Sequence, residues 1–473
     1  MASPIPPSEA ANPLTFNLDT LSPVEFVRTL RGVDSQLFAG WAMHSGLLDD
    51  RLLAAAEATV LASKTALAST SGAVVLTGCG TSGRIAYLTA RRFQRLSKLS
   101  STFTYLISGG DPAILLSDEL PEDDPIAGAA QLAGAAELCD RVSLIGISCG
   151  LSAPYVAGQL DYAMCAPTLE QHGIGAGDGG AGFATSVLGF NPHRLARNNP
   201  IEGLRSAGLC SFRDVVAEME ARAGSPWCSV LDPVVGAEAI AGSSRMKGGS
   251  ATLALTDAIC FRALRLVGGL AHDMEAADSS SFSIATLLRA AQRAVSETYH
   301  QPAALAAVAA LAGRAMRAEG GRILYIGDGV AAIIGMIDAS EMPDTYGVPF
   351  DTVRAFVKNG WSAMENRDGD ISSTSPLLQL SVHAFERDVL PTIASADAVI
   401  LLGCGCEPGT AEGGDADHAN DATPQPWLWE LVPLLRAQVR QIYSFVLLPI
   451  LMFAHYSFVC IPICARSLRA LGV

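Results

Sequence analysis

Three short stretches combine glycines with hydroxyl side chains at places where a strand gives way to a helix. The first is Gly78-Cys-Gly-Thr-Ser-Gly-Arg84, with Gly80, Thr81 and Ser82 at its centre. The second is Ser148-Cys149-Gly150-Leu-Ser152, and the third is the run from Gly242 to Thr252, GSSRMKGGSAT, which holds Ser244, Arg245 and Lys247. Glycine lets backbone approach a ligand closely, and a helix N-terminus offers amide donors and a positive dipole end. Hydroxyls add donors, and Arg245 and Lys247 add charge for an anion. A Walker loop, GxxxxGK[ST], is absent, which disfavours a nucleoside triphosphate. A phosphate on a small polyhydroxylated ligand suits the set. Any one of these turns alone reads as a helix cap or a strand end. Three of them in one module argue for a binding site.

The elements that would hold these turns follow from the local pattern. Ser22-Pro-Val-Glu25 is a capping box with proline at the first helical position, so a helix begins there. An alanine-rich helix is expected over 49–69. Apolar strands are expected at 73–77, 103–107, 142–147 and 185–190, alternating with helices from Ser82 to about Leu96 and after Asp124. A glycine-rich loop, Gly173–Gly182, precedes the last of these strands. Alternating strands and helices predict an α/β fold with doubly wound parallel sheets. In such sheets ligands bind outside the carboxyl ends of the strands, where all three turns fall.

The pattern repeats. Val74–Phe93 matches Ile323–Met342 as strand, Gly-x-Gly turn and helix, and the strand after Asp140 matches that after Asp397. In the second copy Val330-Ala331 replace Thr81-Ser82, and Gly405-Cys-Glu replaces Ser148-Cys-Gly. The expected organisation is an N-terminal helical segment over 1–52, a first module with the ligand pocket over 53–290, a degenerate second module over 291–415 and an atypical hydrophobic tail over 416–473.

Composition narrows the class. With 473 residues, 49% hydrophobic and 17% charged, the chain is long and apolar enough for more than one core. Lys and Arg number 32 against 47 Asp and Glu, a net charge of −15, so nucleic acid is not an expected partner. Eleven scattered cysteines fit neither a disulfide framework nor a zinc ribbon, and read as reduced thiols. The N-terminus has no basic region followed by an apolar one, so no secretory signal is read there. Residues 441–465 carry no Asp, Glu, Lys or Arg and are long enough to cross a bilayer. Pro449, Pro462 and His455 within that stretch favour a buried segment, and no membrane partner is expected.

The runs GCGTSGRIAYL, YLISGGD, GISCGLSAPYVAGQ, GFNPHRLARNNPIEGLRS and above all GSSRMKGGSAT resemble the glucokinase regulatory protein and its bacterial relative, the N-acetylmuramic acid 6-phosphate etherase. The resemblance covers about Leu53 to Gly403 and implies two sugar isomerase (SIS) modules. It implies a sugar-phosphate pocket, for a fructose phosphate or a similar carbohydrate derivative, in which Gly80, Thr81, Ser82, Ser148, Cys149, Gly150, Ser244 and Arg245 touch the ligand. Glu122 matches an acidic residue that contacts the sugar in the regulatory protein and is catalytic in the etherase. No metal or cofactor is implied. The implied partners are the phosphorylated sugar and a hexokinase-type enzyme, in the cytoplasm, with the nucleus also open.

Two departures separate this chain from those relatives. The etherase has a second glutamate in a DASE run on the helix after its first turn, where this chain has Arg92. Arginine stays protonated and cannot act as general acid or base. The DASE run stands instead in the second module, at Asp338–Glu341. The leading expectation is a sugar-phosphate-binding regulator with no catalytic residues. The alternative is an etherase-type carbon–oxygen lyase that uses Glu122 and Glu341 together. The regulatory protein also continues into a helical lid, and no such resemblance is seen after residue 416.

Overall fold

The computed structural model describes residues 5–116, 120–169, 181–223, 225–270, 282–403, 427, 431, 433–435 and 442–445. The backbone separates into two units. The first comprises 1–16, 33–114 and 118–293, and the second 17–32, 115–117 and 294–473.

In the first unit five strands form one parallel sheet: β1 (Gly72–Gly78), β2 (Thr102–Ile107), β3 (Arg141–Ile147), β4 (Gly182–Leu188) and β5 (Cys228–Leu231), in the order β2-β1-β3-β4-β5. β1 and β4 are buried along their whole length, as strands covered on both faces by helices must be, which explains why both are mostly apolar and carry no charge. α2 (Asp50–Leu67), α3 (Gly80–Leu96), α4 (Pro125–Ala136), α5 (Pro154–Cys165), α6 (Phe212–Ala221) and α7 (Lys247–Leu266) supply that cover. The capping box before α1 (Pro23–Ala39) forms as expected: the Ser22 amide donates to Glu25 at 3.0 Å, and the Glu25 amide donates back to Ser22 Oγ at 3.4 Å. The sequence reading misses β5, a four-residue strand too short to show a period. It also places β4 about two residues late.

The strand order has one functional consequence. From β1 the chain crosses to β2 on one side and then to β3 on the other. The carboxyl ends of β1 and β3 therefore lie side by side, with Gly78 in register with Ile147. Chain reversal of this kind opens a crevice between the two following loops. Those loops are Cys79–Ser82 and Ser148–Gly150.

The second unit repeats the arrangement. β6 (Ile323–Gly327), β7 (Val353–Val357), β8 (Ala398–Leu402) and β9 (Ile442–Phe445) form a parallel sheet in the order β7-β6-β8-β9. α8 (Ile284–Thr298) and α9 (Pro302–Arg317) precede it, and α10 (Gly329–Ser340) follows β6 as α3 follows β1. Both helices open on a glycine with positive φ, +48° at Gly80 and +61° at Gly329, a backbone state that other residues rarely adopt. The echo read from the sequence is thus a real structural repeat. β9 comes from the stretch assigned to the tail, and Leu431 and Leu435 pack with Ile326, Phe356, Phe385 and Leu401 in the core of this unit. The remainder of the membrane-length run, 446–465, lies outside the described residues. So do Gly405-Cys-Glu and most of the glycine-rich loop. Among the described residues no helix is long and apolar enough to cross a membrane.

Candidate functional site

α3 starts where the first turn was expected. Cys79 is its N-cap residue, and the Cys79 side chain makes no capping hydrogen bond. Gly80, Thr81 and Ser82 form its first turn. Gly80 must stay without a side chain, because its φ is strained for other residues. A Cβ there would also approach Glu122 Oε1 to 3.4 Å. Glu122, on the single helical turn Leu120–Asp123, therefore holds its carboxylate over the glycine turn. Burial pushes the Cys79 thiol well up, and the Glu122 charge adds to the rise. Arg84 is fully buried and its Nε donates to the carbonyls of Ala113 and Ile114 at 3.1 and 3.2 Å. It anchors α3 to the turn that follows β2.

The second turn meets the first through Cys149. Its Sγ lies 3.5 Å from Ser82 Oγ and 3.9 Å from Thr252 Oγ1 of α7. Burial pushes this thiol up to about 11, so it is a packed thiol and not a thiolate nucleophile. Ser148 accepts from the amides of Ser152 and Ala153 at 3.0 and 3.3 Å, which is the capping role. Its O–H remains a donor by chemistry. The Gly150 carbonyl accepts from Asn191 Nδ2 at 3.3 Å, and Asn191 in turn is held by Ser8.

The third turn differs from expectation. Glu238, fully buried, accepts from the first two amides of α7, Lys247 and Gly248, both at 2.8 Å. The helix N-terminus assigned to an anionic ligand is occupied by the chain's own carboxylate. Lys247 is also fully buried, and its ammonium donates to Gln36 Oε1 at 2.7 Å and to the Val235 carbonyl at 2.8 Å. Its expected role toward a ligand anion is therefore corrected: it braces the α7 loop from behind. Burial pushes Glu238 up and Lys247 down, each opposed by the other's charge. Ser244 and Arg245 lie on the loop that Glu238 closes, with Arg245 buried and Ser244 half-buried. The Ser244 carbonyl accepts from Gly249 at 2.9 Å.

Arg92, in place of the etherase glutamate, ion-pairs with Asp257 of α7. Burial pushes Asp257 up to about 6 although Arg92 opposes the shift. The native state then keeps a proton that the unfolded chain, with an ordinary carboxyl, has lost. Stability should fall as pH rises from about 4 to about 6, by on the order of 3 kcal/mol. Asp257→Asn should flatten that slope relative to the parent chain, read from urea midpoints at the two pH values. Identical slopes would show that the proton is not held there.

Glu341 ends α10 and begins the short helix α11 (Met342–Tyr346) in the second unit, and it is buried. In that unit the equivalent of the ligand turn is closed by its own residue: Asp328 Oδ1 accepts from the Gly329 amide at 2.7 Å, and Ala331 stands where Ser82 does. Among the described residues no group of His, Cys, Asp and Glu is disposed to hold a metal ion.

The fold repeats one α/β module twice, and the first copy gathers Ser82, Cys149 and Thr252 at the carboxyl ends of β1 and β3. Residues 55–164 match the family described as the glucokinase regulatory protein N-terminal SIS domain, and residues 299–405 match its second SIS domain. The chain thus carries two stretches that match SIS domains of the glucokinase-regulatory-protein type. It is 35% identical over 407 residues to the glucokinase regulatory protein of Xenopus laevis, covering 84% of this chain and 62% of that protein. With the human protein the identity is 33% over 407 residues, covering 84% and 61%. An N-acetylmuramic acid 6-phosphate etherase of Pectobacterium atrosepticum is 32% identical over 251 residues, covering 52% of this chain and 64% of the etherase. The chain thus spans about three-fifths of the length of the regulatory proteins that it matches.

Proposed function

We propose that this protein binds a phosphorylated sugar, a fructose phosphate or a close relative, in the crevice between the carboxyl ends of β1 and β3, and that it acts as a regulator. The observation that carries this reading is the meeting of α3, the Ser148–Gly150 turn and α7 around Cys149. The meeting point is lined by Ser82 and Thr252 hydroxyls and overlooked by Glu122. With α7 closed by Glu238, the phosphate is received at the start of α3, by its amides and the Thr81 and Ser82 hydroxyls. Ser244 and Arg245 approach from the α7 loop, and Glu122 accepts from sugar hydroxyls. The similarity to glucokinase regulatory proteins supports a glucokinase-class enzyme as partner. The seven described cysteines are all free, which suits the reducing cytoplasm.

Binding to the native state raises the melting temperature by mass action. Fructose 1-phosphate or fructose 6-phosphate should raise it, and fructose at the same concentration should not. Equal shifts would refute a phosphate site. The lyase reading requires carboxylates acting as a pair, and within the first unit Arg92 is committed to Asp257. No lactate should be released from N-acetylmuramic acid 6-phosphate. Release that vanishes in both Glu122→Gln and Glu341→Gln would establish the lyase instead.

A further inference from the structure

The second unit has lost the ligand turn of the first, yet it has a cavity of its own at a different place. β7 is the edge strand of its sheet, paired with β6 and carrying an isolated parallel bridge from Val357 to Ser381. Beside this strand lies a cavity of about 420 Å3, lined by Arg354 and Phe356 of β7, by Ser372, Ser373 and Ser375, and by Arg387 and Asp388 among others. That volume falls in the usual range for a small-molecule pocket.

The charges in it are arranged in an unusual way. The Arg354 side chain is only 14% exposed, and its carboxylate neighbour Asp351 is 3.3 Å away and 69% exposed. A carboxylate so well hydrated compensates a buried guanidinium weakly. The other polar contact of Arg354 is neutral, Nη2 donating to the Gln379 carbonyl at 2.8 Å. Burial lowers the basicity of Arg354 despite the opposing charges of Asp351 and Asp388, and nearby Arg322 adds like charge. Burying a cation costs free energy unless an anion meets it. The guanidinium lies 5.0 Å from the Phe356 ring centre and 5.6 Å from that of Phe350, so its plane is held. Arg387 brings a second guanidinium, 55% exposed, to the same cavity. The carboxylate beside it, Asp388, is engaged by Arg387 itself, with Nε donating to Oδ1 at 2.7 Å. Ser372, Ser373 and Ser375 line the same cavity as the two cations, while Phe356, Ala384 and Val389 give it an apolar wall.

We propose that this cavity is a second ligand site, for a small molecule bearing a phosphoryl group, with Arg354 and Arg387 on the phosphoryl oxygens and the Ser372–Ser375 turn donating hydroxyls. Planar guanidinium forks match phosphate oxygens, and the apolar wall accommodates the rest of the molecule. The site is built wholly from the second unit and is independent of the crevice between β1 and β3.

Isothermal titration of the full chain with fructose 6-phosphate and, separately, inorganic phosphate tests it. The expected result is two binding events for the sugar phosphate. Ser82→Asp should remove the first and leave the second. Arg354→Gln and Arg387→Ala should each weaken the second at least about tenfold and leave the first, since one lost charge-assisted contact is worth that much. Inorganic phosphate should compete with the second event. A single event, lost in Ser82→Asp and unchanged in both arginine variants, overturns the second site while upholding the first. No event in the parent chain overturns both. Should Arg354→Gln unfold, as read by circular dichroism, the exposed Arg387→Ala variant decides the question alone.

Discussion

Ser82→Asp should abolish most of the sugar-phosphate affinity of the first module, by at least about tenfold, while the fold persists. Ser82 is buried in the first turn of α3, a position where a carboxylate suits the helix dipole. The Cys149 thiol, 3.5 Å away, can donate to it. The same negative charge stands where the phosphate is received, and a lost charge-assisted contact costs roughly 1.5–3 kcal/mol. Added repulsion only increases that figure. Titration calorimetry on a variant with an unchanged circular dichroism spectrum measures the effect. Undiminished affinity would mean that the turn is a helix cap and no more. Ser82→Ala, which removes one hydroxyl and no more, should lose affinity by a smaller factor.

Glu238→Gln should destabilise the first unit by about 3 kcal/mol or more, the scale seen when one member of a buried charge pair is removed. Glu238 serves two α7 amides at once and balances the Lys247 ammonium, with Asp34 as the other nearby negative charge. The two amides bond to different oxygens of Glu238, so an amide side chain in the same place keeps one bond and turns its NH2 toward the other donor, and it carries no charge. The double variant Glu238→Gln, Lys247→Met should recover a large part of the loss, because replacing both members of a buried pair is often close to neutral. Urea denaturation of the four chains gives the coupling. A single variant as stable as the parent, or a double variant worse than the sum of the two singles, would contradict this account of α7.

These residues also show where the sequence was readable. The place of Gly80, Thr81 and Ser82 at the start of α3 was legible because everything that sets it is local: a buried strand, a glycine needing positive φ and a helix start within seven residues. The repeat was visible for the same reason, since β1 with α3 and β6 with α10 are continuous stretches. Glu238 was not visible. It looks like a surface acid in an alanine-rich run, and it acts on amides nine and ten residues later only after the loop has closed on itself. The Arg92–Asp257 pair joins residues 165 apart. Lys247 was misjudged because a cation beside glycines suggests an anion, and only packing shows which side of the loop it faces. β9 was hidden inside a run whose length and lack of charge match a membrane segment as well as a buried parallel strand, a pattern that periodicity cannot separate.

The position of β9 also sets a schedule for the chain's synthesis. Thirty-nine residues lie between the end of β8 at Leu402 and the start of β9 at Ile442. At roughly 5–20 residues per second, the ribosome delivers β9 some 2–8 s after its partner. For that interval the nascent second sheet presents β8 as an unpaired, wholly apolar edge, the form of backbone most prone to pair with another chain. The first sheet carries no such debt, because all five of its strands have been made by Leu231. Newly made copies should therefore meet chaperones late in translation, and mainly through the second module.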